Sequence, residues 1–215
     1  MQHTFDQTAA RIAARNTAEN IRTRLTLRFS LLYFSAFVAG LLLCRVLPPL
    51  SLPPLRDMIQ ASIRPPLTDC ALARDAIRAI LLSAKYELAL LIALTVSGMT
   101  LFCDRACGLL TMLFGLRGGI FCFGVIGLTV HQPNFAGRLL FCLFFFALLG
   151  NAAVLLNAAT ESVIFSYRYR DTAHGLRRER DAVSVQFILH ILCHTGILIV
   201  IAAARAILLA AIHKM

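Results

Sequence analysis

The chain has 215 residues, 59% of them hydrophobic and only 15% charged, with a mean hydropathy of +0.76 and a net charge of +10. Soluble domains run at roughly 45–50% apolar and about 25% charged residues, and disordered chains are less hydrophobic still, so both classes are excluded. Glu and Lys are too scarce for a coiled coil, and so apolar a chain leaves little solvated surface for a nucleic-acid patch; the basic residues read instead as flanks of membrane spans.

The sequence predicts an all-α, polytopic membrane helix bundle with about five transmembrane helices. A span needs roughly 20 mostly apolar residues. Residues 1–28 form a basic segment with Arg11, Arg15, Arg22, Arg24 and Arg28. It is too long for the basic region of a secretory signal, and the apolar run after it lacks a small-residue cleavage pattern. Arg and Thr before residue 25 fit a transit peptide, but Asp6 and Glu19 argue against one. The first span is therefore expected to be retained, and residues 29–215 read as a single membrane domain.

The predicted spans are about 29–47, 86–103, 108–130, 139–159 and 186–212. Pro48, Pro49, Pro53, Pro54, Pro65 and Pro66 break the chain after the first, and Thr68-Asp69 offers a helix cap beyond them. Ile77, Ile80, Leu81, Ala84 and Leu88 recur at helical spacing, which predicts an amphipathic entry into the second span. Asp104-Arg105-Ala106-Cys107 reads as the hinge of a tight hairpin, and Pro133-Asn134 as the turn before the fourth span. Residues 160–185 read as a basic loop.

With the N-terminus inside, eleven Arg lie on the inner side and seven Lys or Arg on the outer, so the N-terminus is expected to be cytoplasmic. The five basic residues of the first long loop run against this bias and are partly offset by Asp57, Asp69, Asp75 and Glu87. The seven Cys are an odd number set mostly in apolar runs and read as small hydrophobes rather than a disulfide framework.

Polar residues inside apolar runs are costly and mark candidate sites. Arg117 sits near the middle of span three, about 200° around the helix from Gly115. Gly115 and Gly119, with Gly118 between them, make a GxxxG ridge that wants a close neighbour. Both faces then need protein or water, which predicts a central position for span three. Arg117 reads either as a gate or ligand contact, or as a residue paired with Glu161, Glu87 or Asp104. In span four, Ala147, Gly150, Asn151, Val154, Asn157, Ala158 and Glu161 share one sector, either a helix–helix seam or a substrate or ion path. His190, Cys193 and His194 in span five have a spacing that can hold zinc or copper, but no carboxylate joins them, so buried or interfacial histidines are expected and no metal or cofactor. No zincin, Walker A, dinucleotide-binding or nucleophile-elbow motif occurs.

Leu94 to Phe102 leads through a short hinge into Gly108 to Gly118, followed by Phe121-Cys122-Phe123-Gly124-Val125-Ile126-Gly127. This resembles the stage II sporulation protein M family of bacterial multispan proteins, with Arg117-Gly118 at its basic-Gly position. Asn151 and the stretch Ser162 to Arg168 look similar too, and the resemblance covers residues 81–168. It implies a non-catalytic membrane anchor of a cell-wall remodelling machine in sporulation and engulfment, with peptidoglycan-degrading enzymes as partners. The expected partners are thus membrane lipid and other membrane-anchored proteins, with a homo-oligomer open and no nucleic acid. The competing expectation is a transporter or permease subunit with a polar path near Arg117 and Asn151; an intramembrane enzyme ranks third, for want of a catalytic dyad.

Overall fold

The computed structural model of the chain describes residues 2–46, 73–130, 135–171 and 177–213. They form five helices and no strand: α1 (Gln2–Val46), α2 (Ala73–Gly98), α3 (Cys103–Val130), α4 (Phe135–Asp171) and α5 (Arg177–His213). None of the five described helices contains a proline. The proline-rich stretch 48–66, the Thr68-Asp69 cap, Cys70 and the Pro133-Asn134 turn lie outside the described residues.

Four stretches are long and apolar enough to cross a membrane: Glu19–Val46, Cys103–Gly127, Gly137–Asp171 and Asp181–Leu208. Their outer faces carry large apolar side chains, among them Leu31, Phe34, Val38, Phe146, Leu192 and Val200, each at least 49% exposed. So much exposed apolar surface needs an apolar solvent. α2 packs on α3, α4 and α5 but carries Lys85 and Glu87, and it supplies none of the four stretches.

Several helix ends differ from the sequence expectation. The hinge of the α2–α3 hairpin is Met99–Phe102, not residues 104–107, and Asp104 stands in the first turn of α3. An acid is favoured there because the first-turn N–H groups and the helix dipole are positive. α4 continues through the predicted basic loop to Asp171, since no Gly or Pro interrupts Thr160–Asp171. Arg170 at its end donates to Thr100 O (2.9 Å) and Ser166 Oγ (3.2 Å), and so closes the hairpin turn. The end of the bundle that holds this turn is called the turn end below.

The predicted apolar stripe of α2 is rotated. Ala84 is buried, but Ile77 and Leu81 are exposed, and the inner face is Ala84, Glu87, Leu91, Leu94 and Gly98. The central helix is also a different one. α4, not α3, packs on all four others. Its residues Asn151, Ala152, Leu155, Leu156, Ala158, Ala159, Thr160, Ser162 and Val163 are all buried, and the small ones among them admit neighbours on every side.

α1 and α3 make the closest backbone approach. A methyl group on Gly115 would collide with the carbonyl oxygen of Tyr33, one on Gly119 with that of Phe37, and one on Gly40 with that of Leu116. Gly118 faces the Tyr33 hydroxyl and the Phe37 ring. At the turn end, Phe165 of α4 stacks on Phe187 of α5 with centroids 4.1 Å apart.

Candidate functional site

The polar side chains inside the bundle gather in two layers. The first lies toward the turn end. Arg22 of α1 pairs with Glu161 of α4 and lies 3.4 Å from Asn157 Oδ1. His190 Nδ1 of α5 stands 3.9 Å from Glu161 Oε2. Asn157 Nδ2 lies 3.2 Å from His194 Nε2, and His194 Nδ1 contacts the carbonyl of His190. With the carbonyl able only to accept, Nδ1 carries the hydrogen and Nε2 accepts from the Asn157 amide. Thr26 and Thr160 touch through their hydroxyls at 3.3 Å. A cleft of about 30 Å³ opens beside Glu161 and His190, lined also by Phe165, Arg168, Gln186 and Phe187. That volume suits a water molecule rather than an organic substrate.

The second layer lies deeper. Roughly 16 Å of helix separates Glu87 from Gly98, and roughly 21 Å separates Arg117 from Cys103. Glu87 is 3% exposed, and its Oε1 receives three groups. Arg205 Nη1 of α5 lies at 2.9 Å, Asn151 Nδ2 of α4 at 3.4 Å and Arg117 Nη1 of α3 at 3.8 Å. The Arg117 guanidinium lies over the Tyr86 ring, 4.0 Å from its centroid, and Lys85 Nζ approaches the same ring at 4.7 Å. Glu87 Oε2 and Arg205 Nε are buried without a hydrogen-bond partner.

The three acids weighed as partners of Arg117 are divided among four arginines. Glu161 pairs with Arg22, Asp104 with Arg28 (2.7 and 2.9 Å), and Glu87 is shared by Arg117 and Arg205. Glu87 is therefore not part of the external loop's charge balance. Arg205, Tyr86 and Lys85 join the deep layer, although sequence reasoning singled out none of them as a partner of Arg117. For Arg205 a signal existed: it shares the inner face of α5 with His194, Leu198 and Ala202.

His190, Cys193 and His194 do not converge. Cys193 is exposed, His194 has both ring nitrogens engaged, and no group of three metal-ligating side chains occurs among the described residues. The Sγ atoms of Cys103 and Cys107 lie 3.7 Å apart in the core beside the hairpin turn. Chemically, the deep layer can neutralise charge and fix the rotation of α2, α3, α4 and α5 about their axes. The layer toward the turn end ties α1, α4 and α5.

No protein-family model matches the chain, nor does any curated protein or solved structure.

Proposed function

We propose that this chain is a non-catalytic, multi-pass protein of the cell membrane, N-terminus cytoplasmic, that serves as a scaffold for other membrane-anchored proteins. α2 is its fifth crossing. The observation that supports this reading is how the intramembrane polar groups are used. Glu87, Glu161 and Asp104 each bind an arginine from another helix. Asn151 and Asn157 likewise bridge between helices. Side chains used in this way hold helices in register, which is what a docking platform needs.

The resemblance to stage II sporulation protein M gives the platform its setting. The partners would be peptidoglycan-degrading enzymes, held at the membrane during sporulation and engulfment. The long connection between α1 and α2 would face them on the outside.

The test compares wild type with Arg117→Leu in the native membrane. A scaffold loses abundance, or loses recovery of a tagged cell-wall hydrolase, while solute flux into vesicles stays as it was. A transporter subunit stays assembled and loses flux. That second outcome would replace the scaffold by a permease with a polar path near Arg117 and Asn151.

A further inference from the structure

The deep layer holds more positive charge than its carboxylate can answer. Arg117 and Arg205 both face Glu87, Arg205 making the short contact, while Lys85 lies against the same Tyr86 ring as Arg117. Arg117 is left at 3.8 Å, and its side chain is 30% exposed, whereas that of Glu87 is 4%. It surfaces at the seam of α2 and α3, against Tyr86, which is itself 52% exposed. One turn before it on α3, Leu113 is exposed too. With α2 as the fifth crossing, an apolar surface then carries an under-compensated guanidinium roughly 21 Å of helix away from the turn end, in the hydrocarbon region.

What answers it must be anionic and must reach that depth. Lipid phosphates stay at headgroup level, outside a hydrocarbon core about 30 Å thick. A carboxylate on a crossing helix reaches it. Among the acids described within the apolar stretches, a second copy of this chain has none free there: its own Glu87 is 3% exposed and held by Arg205, while Glu161 and Asp104 lie toward the turn end, each paired with an arginine.

We propose that Arg117, with Lys85 and Tyr86 beside it, is the docking point for a different protein's transmembrane helix carrying an Asp or Glu deep in the membrane. The partner's carboxylate completes the charge of the layer, and its apolar face covers the α2–α3 seam. This rests on the scaffold reading and names the chemistry of what is scaffolded.

The experiment uses the full-length chain in phosphatidylcholine vesicles with synthetic Leu/Ala helices of about 22 residues, long enough to span. One helix carries a single central Glu and the other Leu in its place, and association is read by energy transfer. The Glu helix should associate roughly tenfold more tightly than the Leu helix, as one strong interhelical polar contact allows. Arg117→Gln should abolish that advantage, and Arg45→Gln should leave it intact. If Arg117→Gln fails to fold, Lys85→Gln with Tyr86→Leu, both at exposed positions, should cut the advantage severalfold. Equal binding of the two helices would overturn the proposal, as would an advantage that survives Arg117→Gln. So would its disappearance from wild type when phosphatidylglycerol is added, since the site would then be a lipid site. Recovery of the cell-wall hydrolase in native membranes is unaffected by any of these results, so the scaffold reading stands or falls separately.

Discussion

Arg205 Nη1 lies 2.9 Å from Glu87 Oε1, and both side chains are almost wholly buried. The contact joins α5 to α2 deep inside an apolar bundle, where neither charge has water to fall back on. Arg117 and Asn151 approach the same oxygen from α3 and α4, so four helices meet at one carboxylate.

Removing that carboxylate alone should therefore hurt more than removing the whole cluster. Glu87→Leu leaves Arg205 buried and unpaired, and we expect it to cost about 3 kcal/mol or more. Glu87→Leu combined with Arg117→Leu and Arg205→Leu should recover most of that loss, because apolar side chains suit the site once no charge is left. Unfolding in mixed micelles by a denaturing detergent measures both. A triple variant less stable than the single one would mean that the charges stabilise the bundle outright.

The α1–α3 contact gives a second prediction. Gly115→Ala or Gly119→Ala must push the two backbones apart, because the added methyl would meet the Tyr33 or Phe37 carbonyl oxygen. Each should cost about 1–3 kcal/mol. Gly127 and Gly196 meet nothing within 4 Å, so Gly127→Ala and Gly196→Ala should be neutral or mildly stabilising. The same unfolding assay separates the two classes.

The sequence carried the helices more clearly than their ends. Long apolar runs without proline marked the helices, glycines inside them notwithstanding. Charge misplaced the α2–α3 hinge: Asp104 and Arg105 look like a loop, yet Asp104 suits a helix start, and the real turn is Met99-Thr100-Leu101-Phe102. A turn at a membrane surface does not have to be polar, and Leu101 and Phe102 are 77% and 70% exposed. Spacing shows that Gly115 and Gly119 share a face of α3 but not that α1 fills it. Three acids stood within reach of Arg117 on paper. Only the rotation of α2 decides that Glu87 turns inward, and rotation follows from packing against all neighbours at once.

Cysteine reactivity should follow the packing. Cys142 and Cys193 are exposed, whereas Cys44, Cys103, Cys107 and Cys122 are buried. A membrane-permeant maleimide applied to the protein in mild detergent should modify the first two readily and the other four only after denaturation, as read by mass spectrometry of digests. Ready modification of Cys107 in the native state would mean that the hairpin packs differently beside its turn.

The order of the helices fixes which connections share a side. If α2 crosses with the others, the Met99–Phe102 turn, the end of α4 at Asp171 and residues near Arg24 lie together, and the connection between α1 and α2 lies opposite. In a cysteine-free background, Arg24→Cys, Leu101→Cys and Asp171→Cys should be reached by an impermeant maleimide from one side of the membrane. Cys70, restored alone, should be reached only from the other. The arginine bias puts the first three sites in the cytoplasm and Cys70 outside. Labelling of all four with the sides reversed would leave the bundle intact and overturn the orientation. Labelling of Leu101→Cys and Cys70 from the same side would instead remove α2 from the membrane, and with it the deep placement of Glu87.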